Sequence, residues 1–393
     1  MAEVFDFCGK IALSKETEKF KPIDRKEFKS GWTNTTVKFN CLSGTNRILC
    51  MTQGGKWADD KKNVIKTFGK STTDANGNVT KGEKIEIAWD KRFNQEEIDK
   101  VAGFRTFKCD TGDTHMRYKL QNIVDGKASI DEELVQAGIT TIDEVKEELK
   151  KSNAKKKVFL SECDFAEHLA KVVASDKFKN KLFYISGTYD VQYSEDKDRF
   201  YTNYHVNRVT LAPDDAEPST EFKVDFYYSE DSWNDDQYEE TGKCHVNGWV
   251  SYFDSSLKKN GFMPMTVVVK EDEKKTNGLK RKFDVEEGIK QIGLTLNVLD
   301  GSERVEITLD MLDEETREDI EMGLLDFEQY KRELGGSAIG DRVSELRFVE
   351  LTPKKNKVQD TVYTVEHMNP AKMEVIEEDD EEEVDDLFDD DDL

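Results

Sequence analysis

The chain has 393 residues, a formal net charge of −25, a charged fraction of 36% and only six prolines. This length allows two or three domains, each with its own hydrophobic core. No apolar run approaches the roughly 20 residues that a membrane span needs, so the composition argues against a transmembrane protein. The six cysteines include no Cys-x-x-Cys pair and follow no signal peptide, which predicts reduced thiols in a cytoplasmic protein.

The charge is distributed unevenly along the chain. Residues 377–393 contain 13 carboxylates and no Lys or Arg, which leaves −25 + 13 = −12 for the rest. Residues 1–110 contain 21 Lys and Arg against 16 Asp and Glu, a balance of 21 − 16 = +5. A basic first segment joined to an acidic remainder indicates a polyanion-binding part whose chain carries its own competing anion.

The first part of the chain has mainly the periodicity of strands. Short alternating or apolar runs predict strands at 4–13, 35–42, 46–52 and 83–89, with turns at 43–46 and 76–78. Residues 94–155 are rich in Glu and Lys and predict a helical insertion, in which 131–151 is the clearest helix.

Residues 161–211 have the most legible pattern. An amphipathic helix is predicted at 161–173, with Ser161 as its N-cap. A strand at 182–193 contains Gly187, and a polar turn leads to a return strand at 200–211. This order is typical of the second half of an oligonucleotide-binding (OB) barrel, in which a helix closes the bottom between the third and fourth strands.

The pattern partly recurs after a proline-containing linker at 212–221. Strands are predicted at 243–253, 265–270, 290–299 and 303–309, the last two joined by an Asp300-Gly301 turn. Helices at 313–322 and 324–334 precede a closing hairpin of 343–351 and 358–366. The predicted fold is therefore mainly β with α insertions (α+β). Two OB-fold-like five-stranded barrels, at 1–211 and 222–370, precede a disordered acidic tail at 371–393.

Two parts of the chain resemble bacterial single-stranded DNA-binding proteins. The run from Leu182 to Tyr189, its charged turn and the return Arg199-Phe200-Tyr201-Thr202 are similar to the fourth and fifth strands of that family. The acidic C-terminus with apolar residues also resembles that family and the helix-destabilising proteins of tailed phages. Two barrels in one chain are more similar to a phage version. The tip ends in Leu393 rather than in the family's Pro-Phe, and the 94–155 insertion has no counterpart in the cellular proteins.

Sequence-independent binding of single strands requires cations along the phosphates and aromatic faces for the bases. Three of the five tryptophans stand beside Lys or Arg, although each could instead be buried in a core. Successive side chains of a strand point to opposite faces. Some tyrosines of the strands 182–193 and 200–211 are therefore expected to stack on bases, and others to pack in the barrel. The predicted DNA-binding residues are Lys29, Trp32, Lys38, Arg47, Lys56, Trp57, Lys61, Lys62, Phe68, Trp89, Lys91, Arg92, Phe93, Tyr189, Tyr193 and Tyr201.

The sequence contains none of the common catalytic or nucleotide-binding motifs, so an enzyme and a cofactor are not predicted. Cys109 and His115, or Cys163 and His168, match no common zinc-site spacing. Two classes of function remain. One is a single-stranded DNA-binding protein of replication, recombination and repair. The other is an acidic interaction protein, such as a DNA mimic or an assembly chaperone, whose barrels bind protein.

The basic first segment with its Trp-Lys neighbours favours DNA binding over mimicry. RNA binding is a variant that stacking alone does not separate from DNA binding. Leu387, Phe388 and Leu393 are apolar residues within the acidic tail. They are predicted to dock replication or recombination proteins, and the alternative is a tail that only solubilises the chain. The sequence leaves homo-oligomerisation open, and Trp249 in the second barrel is assigned a structural or dimerising role.

Overall fold

The computed structural model describes residues 4–73, 79–254, 259–270, 273–306, 308–333 and 337–369. The predicted tail and its docking residues Leu387, Phe388 and Leu393 lie outside these ranges. The described chain is mainly β with helices between the strands, as predicted. None of its helices is long and apolar enough to span a membrane, and its His, Cys, Asp and Glu side chains form no group of three that could hold a metal ion.

Strands and helices are numbered in chain order. The strands are β1 (Val4–Ala12), β2 (Ile23–Glu27), β3 (Trp32–Ser43), β4 (Asn46–Trp57), β5 (Val64–Phe68), β6 (Thr72–Thr73), β7 (Val79–Thr80), β8 (Lys84–Ala88), β9 (Phe107–Asp110), β10 (Lys156–Phe159), β11 (Leu182–Ser194), β12 (Arg199–Leu211), β13 (Ser219–Tyr228), β14 (Trp233–Asn234), β15 (Cys244–Asp254), β16 (Lys259–Val269), β17 (Lys290–Glu306), β18 (Ser337–Leu351) and β19 (Gln359–Asp360). The helices are α1 (Gln95–Ile98), α2 (Thr114–Val124), α3 (Glu132–Gln136), α4 (Ile142–Asn153), α5 (Glu162–Val173), α6 (Tyr238–Thr241), α7 (Glu273–Phe283), α8 (Glu314–Glu321) and α9 (Phe327–Glu333).

Five strands of the first half pair in a closed ring, which we call the first circuit. β1 pairs antiparallel with β3 and β11, β3 pairs antiparallel with β4, and β11 pairs antiparallel with β12. β12 closes the ring by pairing in parallel with β4, where Tyr204 lies opposite Cys50 and His205 opposite Met51. α5 comes between the third and fourth strands of this ring in the chain, and its apolar face is buried in the core beside β4 and β3.

Five strands of the second half form a second circuit with the same connectivity. β13 pairs antiparallel with β15 and β17, β15 with β16, and β17 with β18. The parallel pair that closes this ring joins β16 to β18 at Val267 and Leu346. α7 lies between the third and fourth strands in the chain, which is the position of α5 in the first circuit.

The two circuits share a continuous core. β1 pairs with β13 from Val4 opposite Lys223 to Cys8 opposite Ser219. One cluster of buried apolar side chains extends from β1 through the second circuit, and Phe222 on β13 is completely buried within it. The strand β13 was not predicted, and it begins inside the range 212–221 that the sequence indicates as a linker.

Residues 111–155 form a small helical unit between β9 and β10. α2, α3 and α4 bury their own cluster, centred on Leu120, Leu134 and Leu149. The predicted single helix at 131–151 is wrong. Gly138 has a φ of 82°, which ends α3, and Thr141 begins α4 with a capping box to Glu144.

Several other predicted elements differ in the structure. Asp300-Gly301 is not a turn, because β17 continues through it. The predicted closing hairpin is also wrong, since β18 pairs with β17 and 358–366 contributes only the two residues of β19. The predicted strand 83–89 forms as β8 but pairs with β5 in a separate two-stranded sheet. Ser161 precedes α5 without a side-chain capping hydrogen bond.

Candidate nucleic-acid interface

β3 and β4 place two tryptophans together at one end of the first circuit. Trp32 begins β3 and Trp57 ends β4, and the register makes them direct cross-strand partners. Their ring centroids are 5.1 Å apart with an interplanar angle of 69°, which is the edge-to-face arrangement favoured by aromatic rings. Both side chains are half-buried.

The two rings line an open surface depression of about 740 Å³. Its outward-facing side chains follow from the alternation along β3 and β4, in which Thr35, Val37 and Phe39 point into the core. We call this depression the tryptophan face, and its lining residues are Phe28, Ser30, Trp32, Asn34, Gln53, Gly54, Gly55, Trp57, Glu162 and Cys163.

Two consecutive glycines shape the tryptophan face. A Cβ on Gly55 would lie 2.2 Å from the Trp32 ring, so the indole rests directly on the Gly55 backbone. A Cβ on Gly54 would lie 2.3 Å from the backbone nitrogen of Cys163, so the first turn of α5 rests on Gly54. The Gly-Gly pair thus lies within β4, where the absence of side chains lets an indole ring and a helix pack directly on the strand backbone.

The backbone around Trp57 is held by Asn63. The amide of Trp57 donates to Asn63 Oδ1 at 2.8 Å, and Asn63 Nδ2 donates to the Trp57 carbonyl at 2.9 Å. The turn between them carries Lys61 and Lys62, and the ammonium of Lys62 lies 5.6 Å from the Trp57 ring centroid. This geometry brings an exposed cation to the edge of an aromatic surface.

Several lysines around the tryptophan face are not neutralised by ion pairing. Lys29, Lys56 and Lys62 form no ion pair with any carboxylate of the described residues. Lys38 lies on the outer face of β3, six residues from Trp32, with its ammonium 5.8 Å from the Phe20 ring centroid. These cations remain available to a polyanion.

Glu162 is the one carboxylate that lines the depression, and His205 contacts it. His205 Nε2 forms an ion-pair contact with the Glu162 carboxylate, and Nδ1 lies 3.3 Å from Asp190. Burial alone would lower the pKa of His205, but the hydrogen bond to Glu162 and the two negative charges outweigh it and raise that pKa. In its protonated form, His205 offsets part of the charge that Glu162 would present to a phosphate.

Four of the predicted contact residues pack within the fold and not on the tryptophan face. Trp89 is 8% exposed, with the Arg92 guanidinium 4.1 Å from its ring centroid. Arg92 Nε also lies 2.7 Å from the Asp164 carboxylate, so both side chains join this turn to α5. Tyr193 is buried and its hydroxyl donates to Asp198 at 2.6 Å. Tyr189 packs edge-to-face on Phe222, with centroids 5.0 Å apart. This contact lies at the junction where β1 pairs with β13, which we call the seam between the circuits.

The other predicted residues fall into separate groups. Lys91 and Phe93 are exposed beside the Trp89 turn, and Phe68 ends β5. Arg47 lies ten residues before Trp57, which is roughly 33 Å along β4 at about 3.3 Å per residue. Tyr201 is 39% exposed on β12, with Arg199 5.6 Å from its ring centroid. Arg47 and Tyr201 therefore do not join the tryptophan face.

Phe28 is a member of the tryptophan face that the sequence did not indicate. It lines the depression and is 49% exposed. Phe28 stands between Lys26 and Lys29, so the sequence does place this ring beside cations, as it does the predicted tryptophans. Its position beside Trp32 depends on β2, which pairs with β3. This short strand has no hydrophobic alternation, so the sequence pattern does not predict it.

Comparisons with known proteins give only a distant likeness. No protein-family model matches the chain, and no curated protein matches it. Two solved structures of the single-stranded DNA-binding protein from Thermus aquaticus are similar to it. The wild-type structure has 7% identity and a TM-score of 0.30, over 92% of this chain and 97% of that chain. A deletion mutant has 8% identity and a TM-score of 0.28, over 76% and 87% respectively.

Proposed function

We propose that this chain is a non-catalytic, sequence-independent single-stranded DNA-binding protein that uses the tryptophan face. The observation that carries the proposal is the Trp32–Trp57 pair in an open depression, with the Lys62 ammonium 5.6 Å from the Trp57 ring centroid. Base stacking on an aromatic ring contributes about 1–3 kcal/mol per base and tolerates any sequence, since every base has a π-face. Cations beside the rings supply the electrostatic part of binding.

Both circuits are proposed to be OB barrels. Each has its first strand paired with the second and fourth, its third paired in parallel with the fifth, and a helix between the third and fourth. In an OB-fold the second and third strands carry the oligonucleotide-binding surface. The tryptophan face lies on these two strands of the first circuit. The first proposed domain is 1–211, with the insertion at 94–155. The second begins with β13, inside the range 212–221 that the sequence indicates as a linker, and its predicted range ends at 370.

The second circuit is less suited to bind a strand on the same surface. Trp249 on its second strand packs in a cluster with Tyr227 and Phe262. Tyr363 and Met368, from the segment that follows β19, complete this cluster, and Met368 is 4% exposed. The chain thus covers its own aromatic residues here, which supports a structural role for Trp249 and leaves DNA binding to the first circuit.

The wider role that we propose is protection of single strands during DNA replication, recombination and repair, in the cytoplasm of a cell or a phage-infected host. The acidic tail, 371–393, would compete with DNA for the lysines of the tryptophan face. Its release would present Leu387, Phe388 and Leu393 to replication or recombination proteins. These parts of the proposal rest on the sequence and its resemblance to phage and bacterial proteins.

Intrinsic tryptophan fluorescence tests the proposal directly. Poly(dT) should quench the emission of the whole protein as bases stack on Trp32 and Trp57. If Lys29, Lys38, Lys56, Lys61 and Lys62 all contact phosphates, the slope of log K against log salt should be about −3.5, from about −0.7 per neutralised phosphate. Absence of quenching and of binding by anisotropy would contradict the proposal and favour an acidic protein-binding module. Equal affinity for poly(rU) would mean that the protein binds single-stranded RNA as well as single-stranded DNA.

A further inference from the structure

A second cluster of aromatic rings and cations lies outside the first circuit, on the β5–β8 hairpin. Phe68 ends β5 opposite Lys84, whose ammonium lies 5.6 Å from the Phe68 ring centroid. The Arg105 guanidinium lies 5.1 Å from the Phe68 centroid and 5.2 Å from that of Phe104. We call these four side chains the hairpin cluster. Phe104 and Arg105 were not among the residues that the sequence indicated.

Backbone contacts hold the hairpin cluster in place. The amide of Ala102 donates to the Phe68 carbonyl at 3.3 Å, and that of Lys70 donates to the Lys100 carbonyl at 3.0 Å. The turn at Gly103–Arg105 is a single 3-10 turn closed by Thr106, whose hydroxyl donates to the Gly103 carbonyl at 2.8 Å. Arg105 is therefore presented next to Phe68 by fixed backbone.

The hairpin cluster differs from a structural cation–aromatic contact in its exposure. Phe104 is 38% exposed, and Arg105 and Lys84 are exposed as well. Neither cation forms an ion pair with a described carboxylate. Arg92, in contrast, covers buried Trp89 and is paired with Asp164. The exposed Phe104 ring and the cations beside it supply the two components that single-strand binding requires, a stacking surface and a phosphate contact.

The hairpin cluster also follows the tryptophan face along the chain. Asn63, which holds the Trp57 backbone, directly precedes β5. Phe68 lies four residues after Val64, which is roughly 13 Å along the strand at about 3.3 Å per residue. Lys61 and Lys62 occupy the turn between the two surfaces. A strand that leaves Trp57 can thus reach Phe104 and Arg105 while remaining near cations.

We propose that the hairpin cluster is a second subsite for single-stranded nucleic acid, with a base on Phe104 and phosphates at Arg105 and Lys84. The inference rests on the proposed function, because it extends the strand bound at the tryptophan face. OB-folds bind about 4–16 nucleotides each, so a short oligonucleotide fills the tryptophan face and a long one also reaches the hairpin.

The experiment compares the affinities of the full chain for oligo(dT) of about 5 and about 20 nucleotides, which bracket the usual OB-fold site size. Phe104→Ala and Arg105→Gln should each weaken binding of the long oligonucleotide by at least about fivefold, the equivalent of about 1 kcal/mol for one lost stack. Binding of the short oligonucleotide should be unchanged. Because both side chains are exposed, we expect the two variants to remain folded. Circular dichroism tests this expectation.

Lys177→Ala is the matched control. The Lys177 ammonium lies 5.3 Å from the Phe178 centroid, on the turn after the C-terminal end of α5. α5 has 12 residues, so this turn lies roughly 18 Å along the helix from Gly54. The control should bind both oligonucleotides like the wild type. Wild-type affinity of the Phe104 and Arg105 variants for the long oligonucleotide would overturn the inference. If the wild type binds neither oligonucleotide, the proposed function itself fails.

Discussion

Trp32 and Trp57 are the residues on which the proposed function depends most. Replacing either with Ala should lower the affinity for oligo(dT) by about 5- to 150-fold, from about 1–3 kcal/mol per stacked base. Replacement with Phe should retain part of the affinity because a stacking face remains. Fluorescence anisotropy with labelled oligo(dT) measures both effects. Trp233→Phe is the control, since Trp233 packs on Phe283 in the second circuit, with centroids 6.1 Å apart. Full affinity in both Ala variants would remove the tryptophan face from the binding site.

Gly54 and Gly55 are neighbours with different expected effects. An added methyl on Gly55 meets the Trp32 ring, so Gly55→Ala should lower DNA affinity. On Gly54 it meets the backbone of Cys163, which cannot move without moving α5, so Gly54→Ala should lower the free energy of unfolding by about 1–3 kcal/mol. Urea unfolding and oligo(dT) titration measure the two quantities.

Gly278→Ala serves as the control for both glycine variants. Gly278 lies within α7, and nothing is within 4 Å of its added Cβ. It should leave DNA affinity unchanged and raise stability by up to about 1 kcal/mol, since Ala is the better helix former. If Gly55→Ala also keeps its affinity, the close packing of Trp32 on the backbone does not matter for binding.

At the scale of elements, α5 is attached to the β2–β3 pair through Glu167. Arg25 donates to both carboxylate oxygens at 2.9 Å, and the Thr35 hydroxyl donates at 2.5 Å. The hydrogen bond from Arg25 is the main reason that the pKa of Glu167 is lowered. A carboxyl group with a lowered pKa stabilises the fold above its unfolded value of about 4.3, and this contribution is lost as the pH falls through the lowered pKa.

Glu167→Gln should therefore lower the free energy of unfolding at pH 7 by less than about 1 kcal/mol, because exposed ion pairs are weakened by solvent. The difference from the wild type should close as the pH falls below about 4. Chemical unfolding between about pH 3 and 7 measures it. Glu148→Gln is the control, since among the described residues Glu148 forms an ion pair with Lys151 alone, 3.1 Å away on α4. A pH-independent difference for Glu167→Gln would contradict the assignment.

Element prediction succeeded where local pattern and tertiary environment agree. β1, α5, β11 and β12 have clear periodicity, and the structure forms them within a few residues of the predicted bounds. Asp300-Gly301 is different, because its local signal is that of a turn. A Cβ on Gly301 would lie 2.2 Å from the Thr45 carbonyl of the first circuit. The glycine therefore allows a close contact between the two circuits. Its two residues are 301 − 45 = 256 positions apart, so no local sequence window shows it.

In the whole molecule, we expect the seam between the circuits to make them unfold together, because one buried cluster spans both. Phe222 is completely buried, and its ring lies 5.0 Å from Tyr189 and 6.1 Å from Tyr204, between centroids. Phe222→Ala should cost about 3–5 kcal/mol of stability. Because one core spans both circuits, the loss should appear equally in urea transitions followed by circular dichroism and by tryptophan fluorescence.

Leu134→Ala is the matched control for the seam. Leu134 is equally buried, but it belongs to the separate cluster of α2, α3 and α4. Its loss should increase hydrogen exchange within 111–155 and leave the circuits protected. Two resolved transitions in the wild type, or a Phe222→Ala effect on one circuit alone, would mean that the circuits unfold independently.

The acidic tail is predicted to act on the whole molecule through its charge. Deleting 377–393 removes 13 carboxylates, so oligo(dT) binding should tighten at low salt. The gain in affinity should become smaller as salt screens the charges of the tail. The Debye length of the solution is about 30 Å at 0.01 M salt and about 10 Å at 0.1 M. Anisotropy titrations at both salt concentrations measure it. A tail of equal length with Asn and Gln in place of Asp and Glu separates charge from length. Unchanged affinity at low salt would rule out competition by the tail.

Three features follow from the amino-acid sequence alone: the β-rich class, the helix between the third and fourth strands of the first circuit, and the position of Trp32 and Trp57 near lysines. Periodicity, glycine placement and charge are local properties, so they can be read from short windows. Which aromatic residues face solvent depends on contacts between segments that are distant in sequence. Trp89 stands beside Lys91 and Arg92 just as the other candidates stand beside cations, yet it is buried, and so is Tyr193. Tyr189 is half-buried because it packs on Phe222. Phe28, Phe104 and Arg105 become surface candidates because chain segments distant in sequence place them beside other rings.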